Sequence, residues 1–444
     1  MKNKVYLLLL SWFIMLQSCI TKTIVVSSVT EEKVVDQAIF QLDTFTHLKT
    51  GFSGLIVNDL LTGEVLISNH ADKYFIPASN TKIFSLYAAL VTLGDSIPAF
   101  KFVETDTTFI FWPTANPSLL NPYFSDTTTI SFLKDKSKNK RLVYADGHSN
   151  LPHYAQGWMW DDYDTYFQSE LTPFPLYGNV VYIRKDSTGI KIAPEKMLAN
   201  AIRSKNALKI TRDLDQNNFK MPINFDDWEI YEQEIPYKNA SEINVILLND
   251  LIGDTIERGK ISIPKGKTKT FYGIKTDTIL RRMMLVSDNM LADHLLIAAG
   301  MVLTDSLSLK NTIQLFKNLW APALPHTIDW VDGSGLSRYN RFTPATILAL
   351  LAKMHKEIPE DHLFSLFPAG GEFGTLSEQF NDSSKPYVFA KSGSMTGVYN
   401  LSGYLIAKSG RKLAFSSMNN MFISRVSEAS KDVEKMIKAI RDRY

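Results

Sequence analysis

The pattern of hydrophobic and polar residues predicts a strand pair and a helix early in the chain. Residues 53–57 and 64–68 are β-rich runs separated by turn residues, which is typical of a hairpin. Residues 79–93 then carry apolar side chains at helical offsets. Because this run follows Pro77 and Gly94 stands at its end as a C-cap, we expect one helix packed by a single face.

Regular patterns return in the last third of the chain. Helical spacing of apolar residues alternates there with β-rich runs. The predicted helices span 275–286, 290–303 and 426–440, and the predicted strands span 387–390, 397–407 and 412–418. This order of helices and adjacent strands indicates an α+β fold.

The middle of the chain differs in composition from both ends. Residues 99–270 are rich in Tyr, Trp, Phe, Pro, Asn and Asp, with short strand-like runs such as 179–183 and 243–247. We therefore predict a mostly β inserted region at 99–270. It would divide one domain in sequence, so that 20–98 and 271–444 form a single discontinuous unit.

The N-terminus has the features of an export signal. Lysines precede an apolar run at 5–16 that is short for a bilayer span and fits a signal h-region. The run leads to Cys19, the only cysteine, in a context that resembles the lipobox of bacterial lipoproteins, although Gln17 departs from the usual small residue. We expect 1–19 to be a lipoprotein signal, Cys19 to be lipidated at the periplasmic face, and a tether and a helix at 31–48 to follow. The alternative is a plain signal peptide.

Charge and composition exclude some classes of function. The 48 Lys and Arg residues nearly balance the 46 Asp and Glu residues, and no long run of like charge indicates nucleic acid as a partner. A single cysteine excludes structural disulfides and thiolate metal sites. The eight histidines form no H-E-x-x-H pattern, so a zinc peptidase has no support, and we predict neither a metal nor another cofactor.

The first candidate chemical motif is Ser79-Asn80-Thr81-Lys82 at the start of the first predicted helix. A spacing of three residues places the Ser79 hydroxyl and the Lys82 amine on one face, a single turn apart. A lysine whose pKa is lowered by burial can accept the proton of a serine nucleophile. The helix N-terminus favours the developing negative charge. Alone, the S-x-x-K pattern is common in proteins.

The second motif, Ser287-Asp288-Asn289, lies between two predicted helices. An extended tripeptide would point Ser287 and Asn289 to the same side. The hydroxyl could relay a proton and the amide could hold a peptide carbonyl. Alternatively, both side chains merely cap helices.

The third motif is Lys391-Ser392-Gly393, which begins a β-rich segment. We expect Lys391 to supply a fixed positive charge and Gly393 to let a substrate backbone approach the strand edge. Ser392 and Ser394 could bind a carboxylate. Taken alone, the tripeptide would be interpreted as a hairpin turn with a surface lysine.

Motifs of the types S-x-x-K, S-D-N and K-T-G in this order are the signature of penicillin-binding proteins and class A β-lactamases. The long separation of the first two motifs resembles the penicillin-binding D-alanyl-D-alanine carboxypeptidase/endopeptidase family of low molecular mass (class C), which has a large insertion after the nucleophile helix. Ser392 departs from the Thr usual in that family, but it retains a hydroxyl. Further family-like segments lie at 77–82, 157–162, 332–340, 374–376 and 397–404.

The resemblance implies a transpeptidase/β-lactamase-like domain, with a five-stranded antiparallel sheet flanked by helices. It also implies that Ser79 attacks the bond between two terminal D-alanines of a peptidoglycan stem peptide, with Lys82 as base. The Ser79 and Ser394 N–H groups would form the oxyanion hole. Ser287 and Lys391 would pass the proton to the leaving amine. β-Lactam antibiotics would acylate the same serine.

The resemblance also suggests where specificity arises. Asp162, Phe167 and Arg338 would line the pocket for the side chain of the third stem-peptide residue. Asp162 could pair with an amine, Arg338 could bind a carboxylate, and Phe167 could cover the methylenes.

Two other functions remain open at this point. A serine β-lactamase shares the motifs, but the long insertion and the lack of a recognisable acidic deacylation motif argue against it. A non-catalytic wall-binding lipoprotein would keep the fold without turnover. The sequence does not address the oligomeric state or the preference for carboxypeptidase or endopeptidase action.

Overall fold

The structure is a computed structural model that describes residues 46–124, 126–199 and 201–444. The predicted signal, Cys19, the tether and nearly all of the predicted helix at 31–48 lie outside the described residues. Within these three ranges, no helix is both long and apolar enough to cross a bilayer.

The described residues form sixteen strands and nine α-helices. The strands are β1 Phe52–Asp59, β2 Val65–Asn69, β3 Ser96–Glu104, β4 Thr108–Pro113, β5 Arg141–Ala145, β6 Val180–Asp186, β7 Gly189–Ala193, β8 Ile202–Ser204, β9 Thr211–Arg212, β10 Phe219–Pro222, β11 Tyr231–Pro236, β12 Glu257–Gly259, β13 Lys269–Lys275, β14 Val388–Met395, β15 Val398–Ile406 and β16 Lys412–Asn420. The helices are α1 Lys82–Thr92, α2 Thr128–Ser137, α3 Ala240–Ile252, α4 Thr276–Leu285, α5 Asn289–Thr304, α6 Leu309–Trp320, α7 Pro344–Glu357, α8 Glu360–Leu366 and α9 Val426–Arg443.

A five-stranded antiparallel sheet with the order β14-β15-β16-β1-β2 joins the two ends of the described chain. The predicted hairpin is present as β1 and β2, and the three predicted C-terminal strands are neighbours. This result confirms the five-stranded antiparallel sheet of the predicted α+β fold. The first of those strands was predicted to end at residue 390 but continues to Met395, so the Lys391 motif lies within an edge strand.

Helices α1 and α5 pack together beside this sheet in one hydrophobic core. Helix α5 is buried without interruption from Met290 to Met301. A helix that is apolar on nearly every face is stable only when it is surrounded by protein. Two polar residues, Asp293 and His294, are enclosed in this stretch, and both are fully buried.

The inserted region has a second hydrophobic core, formed by residues between Ala99 and Ile256. Its largest sheet has the order β12-β5-β4-β3-β13, and two three-stranded sheets have the orders β11-β6-β7 and β8-β10-β9. Helices α2 and α3 complete it. The prediction of a mostly β insertion is therefore confirmed, with two helices added.

One predicted strand in the insertion is wrong. Residues 243–247 belong to helix α3, in which Ala240, Asn244, Leu247 and Leu248 are buried at helical spacing. The carboxylate of Glu170 accepts the N–H groups of Asn239 and Ala240 at the helix start. Glu170, which is far from α3 in sequence, thus caps this helix, although the β-branched residues at 243–247 favour a strand locally.

Candidate active site

Ser79 lies in a 3-10 turn, Ala78–Thr81, that leads directly into α1. Ala78 has a left-handed backbone with φ of 46°, which is uncommon for a residue with a side chain. The Thr81 hydroxyl donates to the Ala78 carbonyl at 2.9 Å, and the Asn80 amide donates to the Ser402 hydroxyl on β15 at 2.7 Å. The turn is therefore tied to the sheet, with the half-buried Ser79 at its surface.

Lys82 is fully buried and donates hydrogen bonds to three oxygens. Its Nζ lies 3.0 Å from Ser79 Oγ, 2.6 Å from Asn289 Oδ1 and 2.7 Å from the Ser334 carbonyl oxygen. The structure thus brings together Ser79, Lys82 and Asn289, as the sequence predicts. Ser334 was not predicted, because a backbone acceptor leaves no motif in a sequence.

Burial lowers the pKa of Lys82 from its ordinary value to about 8. The carboxyl groups of Asp293, Asp332 and Asp288 act in the opposite direction by favouring the ammonium form. The net result is an amine that exchanges its proton near neutral pH, as a general base requires.

The Ser287-Asp288-Asn289 segment is not a simple extended tripeptide. Ser287 has φ of 62°, in the left-handed region, and Asn289 is the first residue of α5. The helix cap is Asp288, whose carboxylate accepts the Leu291 N–H at 3.1 Å. Neither the Ser287 nor the Asn289 side chain caps a helix, but the left-handed backbone of Ser287 ends α4, where the Asp288 N–H donates to the Met283 carbonyl oxygen at 3.1 Å. Among the described residues, the Ser287 hydroxyl has no hydrogen-bond partner.

Asn289 connects Lys82 to the insertion. Its Oδ1 accepts from Lys82, and its Nδ2 donates to the Phe167 carbonyl oxygen at 3.1 Å. An amide nitrogen carries two hydrogens, so one remains for a further acceptor.

Lys391 lies in the edge strand β14 and is fully buried. Its Nζ donates to the Ser392 carbonyl oxygen at 2.7 Å. Burial, followed by the charge of Lys82, holds the pKa of Lys391 well below its ordinary value. Burial therefore opposes the predicted positive charge of Lys391, and an anion bound beside the amine would favour that charge.

Gly393 packs against the turn that carries Ser79. A Cβ at this position would lie 2.7 Å from the Pro77 carbonyl oxygen and 2.9 Å from the N atoms of Ser79 and Asn80. The glycine is thus required for contact between β14 and the nucleophile turn. The sequence predicts a glycine here because a substrate backbone approaches the strand edge, so the structure gives a different reason for Gly393.

The hydroxyl of Ser392 donates to Thr375 Oγ1 at 3.0 Å. Thr375 lies in a 3-10 turn, Gly374–Leu376, that packs beside β14. The backbone N–H and C=O groups of Ser392 and Ser394 point away from β15, because Ala390, an even number of residues away, donates outward to Pro368. The Ser392 and Thr375 hydroxyls therefore lie beside the outward edge of β14, where the Ser392 carbonyl oxygen already accepts from Lys391 Nζ.

The predicted specificity residues are only partly brought together. Asp162 and Arg338 are both half-buried. Burial and the neighbouring Asp161 raise the pKa of Asp162, and Arg338 acts against this rise, so the two charges interact. They form no ion pair within 4.0 Å. Phe167 instead meets Asn289 through its carbonyl group.

A cavity of about 660 Å³ adjoins this region. It is bounded by Phe167 and Asn289, and by tyrosines of the insertion that include Tyr123 and Tyr231. Ser79 and Lys82 do not line it. In the described part of the chain, no group of three or more His, Cys, Asp or Glu side chains is placed to hold a metal ion.

Comparisons with known proteins identify the family of this chain. The model of the D-Ala-D-Ala carboxypeptidase 3 (S13) family matches residues 35–221 and 275–444. The chain is 23% identical over 453 residues to D-alanyl-D-alanine carboxypeptidase DacB of Haemophilus influenzae, covering 88% of this chain and 90% of that protein. It is 24% identical over 419 residues to penicillin-sensitive carboxypeptidase A of Dictyostelium discoideum, covering 80% and 78%.

A solved structure shows the same fold. The crystal structure of penicillin binding protein 4 from Haemophilus influenzae superimposes with a TM-score of 0.72 at 19% identity, covering 91% of this chain and all of that one. The family predicted from the three motifs is therefore confirmed. The chain belongs to the D-Ala-D-Ala carboxypeptidase 3 (S13) family of serine peptidases.

Proposed function

We propose that this protein hydrolyses D-Ala-D-Ala ends of peptidoglycan stem peptides through an acyl-enzyme on Ser79. The observation that carries the proposal is the 3.0 Å contact between Lys82 Nζ and Ser79 Oγ at the start of α1. A buried amine beside a helix-terminal hydroxyl is the arrangement of an activated serine nucleophile.

The other partners of Lys82 support its role as base. Asn289 Oδ1 and the Ser334 carbonyl oxygen are acceptors only, so each takes an N–H of the amine. When the Lys82 amine is neutral, its two N–H groups are used by these acceptors, and its lone pair points toward Ser79. The Ser79 proton then has an acceptor as Oγ attacks the peptide carbonyl.

The edge strand supports the placement of the substrate. An extended peptide could pair with the outward backbone groups of Ser392 and Ser394, as in β-strand addition. The N–H groups of Ser79 and Ser394 would stabilise the oxyanion, since the close packing of Gly393 on Ser79 brings these two segments together. The second Asn289 hydrogen would bind a substrate carbonyl.

The terminal carboxylate would bind beside Lys391, Ser392 and Thr375. Its negative charge would raise the pKa of the buried Lys391 amine and so favour the ammonium form that holds it. The proton that Lys82 takes from Ser79 would then pass through the unpaired Ser287 hydroxyl, beside Lys391, to the leaving D-alanine nitrogen. Water would release the acyl group.

Digestion of purified muropeptides with mass-spectrometric readout tests this function. We expect loss of one terminal alanine, and cleavage of cross-linked dimers if the protein also acts as an endopeptidase. Labelled penicillin should acylate Ser79. Ser79→Ala should abolish both labelling and turnover, whereas Ser409→Ala, at an exposed turn, should change neither.

The same assay separates the alternative functions. Rapid release of the penicilloyl group without peptide cleavage would indicate a β-lactamase. Binding of muropeptides without turnover would indicate a wall-binding protein. Label on a residue other than Ser79 would refute the proposed nucleophile.

We also propose that the protein is exported and anchored through a lipid on Cys19. The support is the apolar run before this single cysteine. More than one acyl chain is needed for stable anchoring, as a lipidated N-terminus would provide. Cys19→Ser should move the protein from the membrane fraction to the soluble periplasmic fraction, and unchanged membrane binding would contradict the proposal.

A further inference from the structure

Four ionisable side chains are fully buried around the nucleophile. Lys82 and Lys391 are amines, and Asp293 and Asp332 are carboxylic acids. The mechanism proposed above uses both amines directly. It assigns no role to Asp293, which lies on α5 one turn after Asn289.

Asp332 is fully satisfied by its own loop. One of its oxygens accepts from Gly335 N and Asn340 Nδ2, and the other accepts from Ser337 N and Trp158 Nε1, at 2.6 to 2.8 Å. Four donors stabilise a carboxylate strongly. Asp332 is therefore a structural anion that organises the loop at 332–340.

Asp293 is bonded on one side only. Its Oδ1 accepts the N–H groups of Gly333 and Ser334 at 2.6 and 3.1 Å, and its Oδ2 is buried without a hydrogen-bond partner among the described residues. The carbonyl oxygen of the same Ser334 accepts from Lys82 at 2.7 Å. One residue of backbone therefore separates the carboxyl group from the catalytic amine.

We propose that Asp293 is a positioning residue for Lys82: its Oδ1 holds the Gly333–Ser334 turn so that the Ser334 carbonyl meets the amine, and its charge sets the pH at which Lys82 becomes a free base. The inference rests on the proposed role of Lys82 as base. Ser85, whose hydroxyl donates to the Gly333 carbonyl at 2.6 Å, holds the same turn from α1.

The charge of Asp293 acts on Lys82 together with the other charged groups that face these two side chains. Lys82 faces Asp293 and Asp288 at α5, Asp332 in its loop, and Lys391 on β14. Asp293 faces Lys82 and Asp332. His294, the next residue, is neutral because burial lowers its pKa to about 4.

The protonation states of Asp293 and Lys82 depend on each other. Burial, followed by the Asp332 charge, raises the pKa of Asp293 to about 8, so Asp293 and Lys82 compete for a proton in the same pH range. Ionised Asp293 stabilises the Lys82 ammonium. Without this carboxyl group, Lys82 should lose its proton at a lower pH.

Two substitutions separate the effect of the Asp293 charge on Lys82 from the effect of its hydrogen bonds on the Gly333–Ser334 turn. Asp293→Asn keeps an acceptor for Gly333 and Ser334 but removes the charge, whereas Asp293→Ala removes both. Asp305→Asn, at the far end of α5, is the matched control. The direct readout is the pH titration of the Lys82 ¹³Cε NMR signal, assigned with Lys82→Arg.

We expect the Lys82 titration to move about one pH unit lower in Asp293→Asn and to stay unchanged in Asp305→Asn. The acid limb of the pH profile for penicillin acylation should move in the same direction. Asp293→Ala should also acylate about tenfold or more slowly at every pH, because the Ser334 carbonyl is no longer held.

An unchanged Lys82 titration in Asp293→Asn would overturn the proposal, even if acylation slowed uniformly. If Asp293→Ala does not fold, the Asn variant still gives this result. Failure of penicillin to label Ser79 in the unsubstituted protein would refute the proposed function instead. The NMR titration reports on Lys82 without any substrate, so the two failures are distinguishable.

Discussion

At the residue scale, Lys391 is a buried amine with no acidic partner among the described residues. Its pKa is lowered, so in the unfolded state it takes up a proton at a higher pH than in the folded state. Stability is therefore lost as the pH falls below about 10.5, the ordinary lysine value. We predict that Lys391→Met raises the unfolding free energy at pH 7 by about 1 to 2 kcal/mol while lowering peptidase activity.

Thermal melting of both proteins at pH 7 and near pH 11 checks this prediction. The gain in melting temperature should shrink at the higher pH, where the amine is neutral in both states. Lys431→Met, at an exposed position on α9, should leave the melting temperature nearly unchanged at both pH values. A buried lysine that stabilised the fold would give a lower melting temperature in Lys391→Met.

The motif residues around Lys82 could be predicted from the sequence, because a three-residue helical spacing dictates that Ser79 and Lys82 meet. Their other partners could not. Ser334, Thr375 and Asp293 reach the site through long-range packing, and no local pattern distinguishes them from ordinary polar residues. The burial of Lys391 also depends on the whole surrounding fold.

At the element scale, the edge strand β14 and the nucleophile turn are in direct contact. We predict that Gly393→Ala lowers the rate of penicillin acylation about 100-fold, because the added Cβ would displace the Ser79 backbone from β14. The melting temperature should fall as well. Stopped-flow acylation and thermal melting measure the two effects.

The control for this prediction is Gly259→Ala on β12. A Cβ there would lie 3.2 Å from Cδ1 and Cγ1 of the Ile261 side chain and 3.8 Å from Cγ1 of Val143, and would meet no backbone atom within 3.2 Å. This variant should acylate at the normal rate. Normal acylation in Gly393→Ala would show that the contact does not position Ser79.

Most elements near the site could be predicted from periodicity, because both ends of the chain have amphipathic helices and compact strand runs. Helix α3 could not. Its run of β-branched residues favours a strand, and the helix is stabilised by the carboxylate of Glu170 from another part of the insertion. The extent of β14 was also missed, because Lys, Ser and Gly are weak strand formers on their own.

At the scale of the whole molecule, the insertion contributes side chains beside the site. We predict that Asp162→Ala lowers kcat/KM for the full stem peptide about tenfold to 100-fold, because a charge-assisted contact to the third residue would be lost. Penicillin, which lacks that residue, should acylate at nearly the normal rate. Truncated peptides ending in D-Ala-D-Ala should be poor substrates for both proteins.

Asp161→Ala is the matched control, since Asp161 is the exposed neighbour in the same turn. It should retain most of the activity on the full stem peptide. If Asp162→Ala lowers activity on the peptide and acylation by penicillin equally, the catalytic centre is damaged, and the proposed specificity pocket is refuted.

The division of the chain at 99 and 270 stays a prediction, which the separate core of the insertion supports.

The strands that begin and end the insertion, β3 and β13, are paired, with Ser96 opposite Lys275. Neighbouring strands are about 5 Å apart, so a gene could acquire or lose the intervening segment without rerouting the surrounding chain. In this protein the loss would remove the Phe167 carbonyl from Asn289 and the Trp158 indole from Asp332. Ancestors without the segment would have needed other partners for these two side chains, and acquisition of the segment would have made catalysis dependent on it.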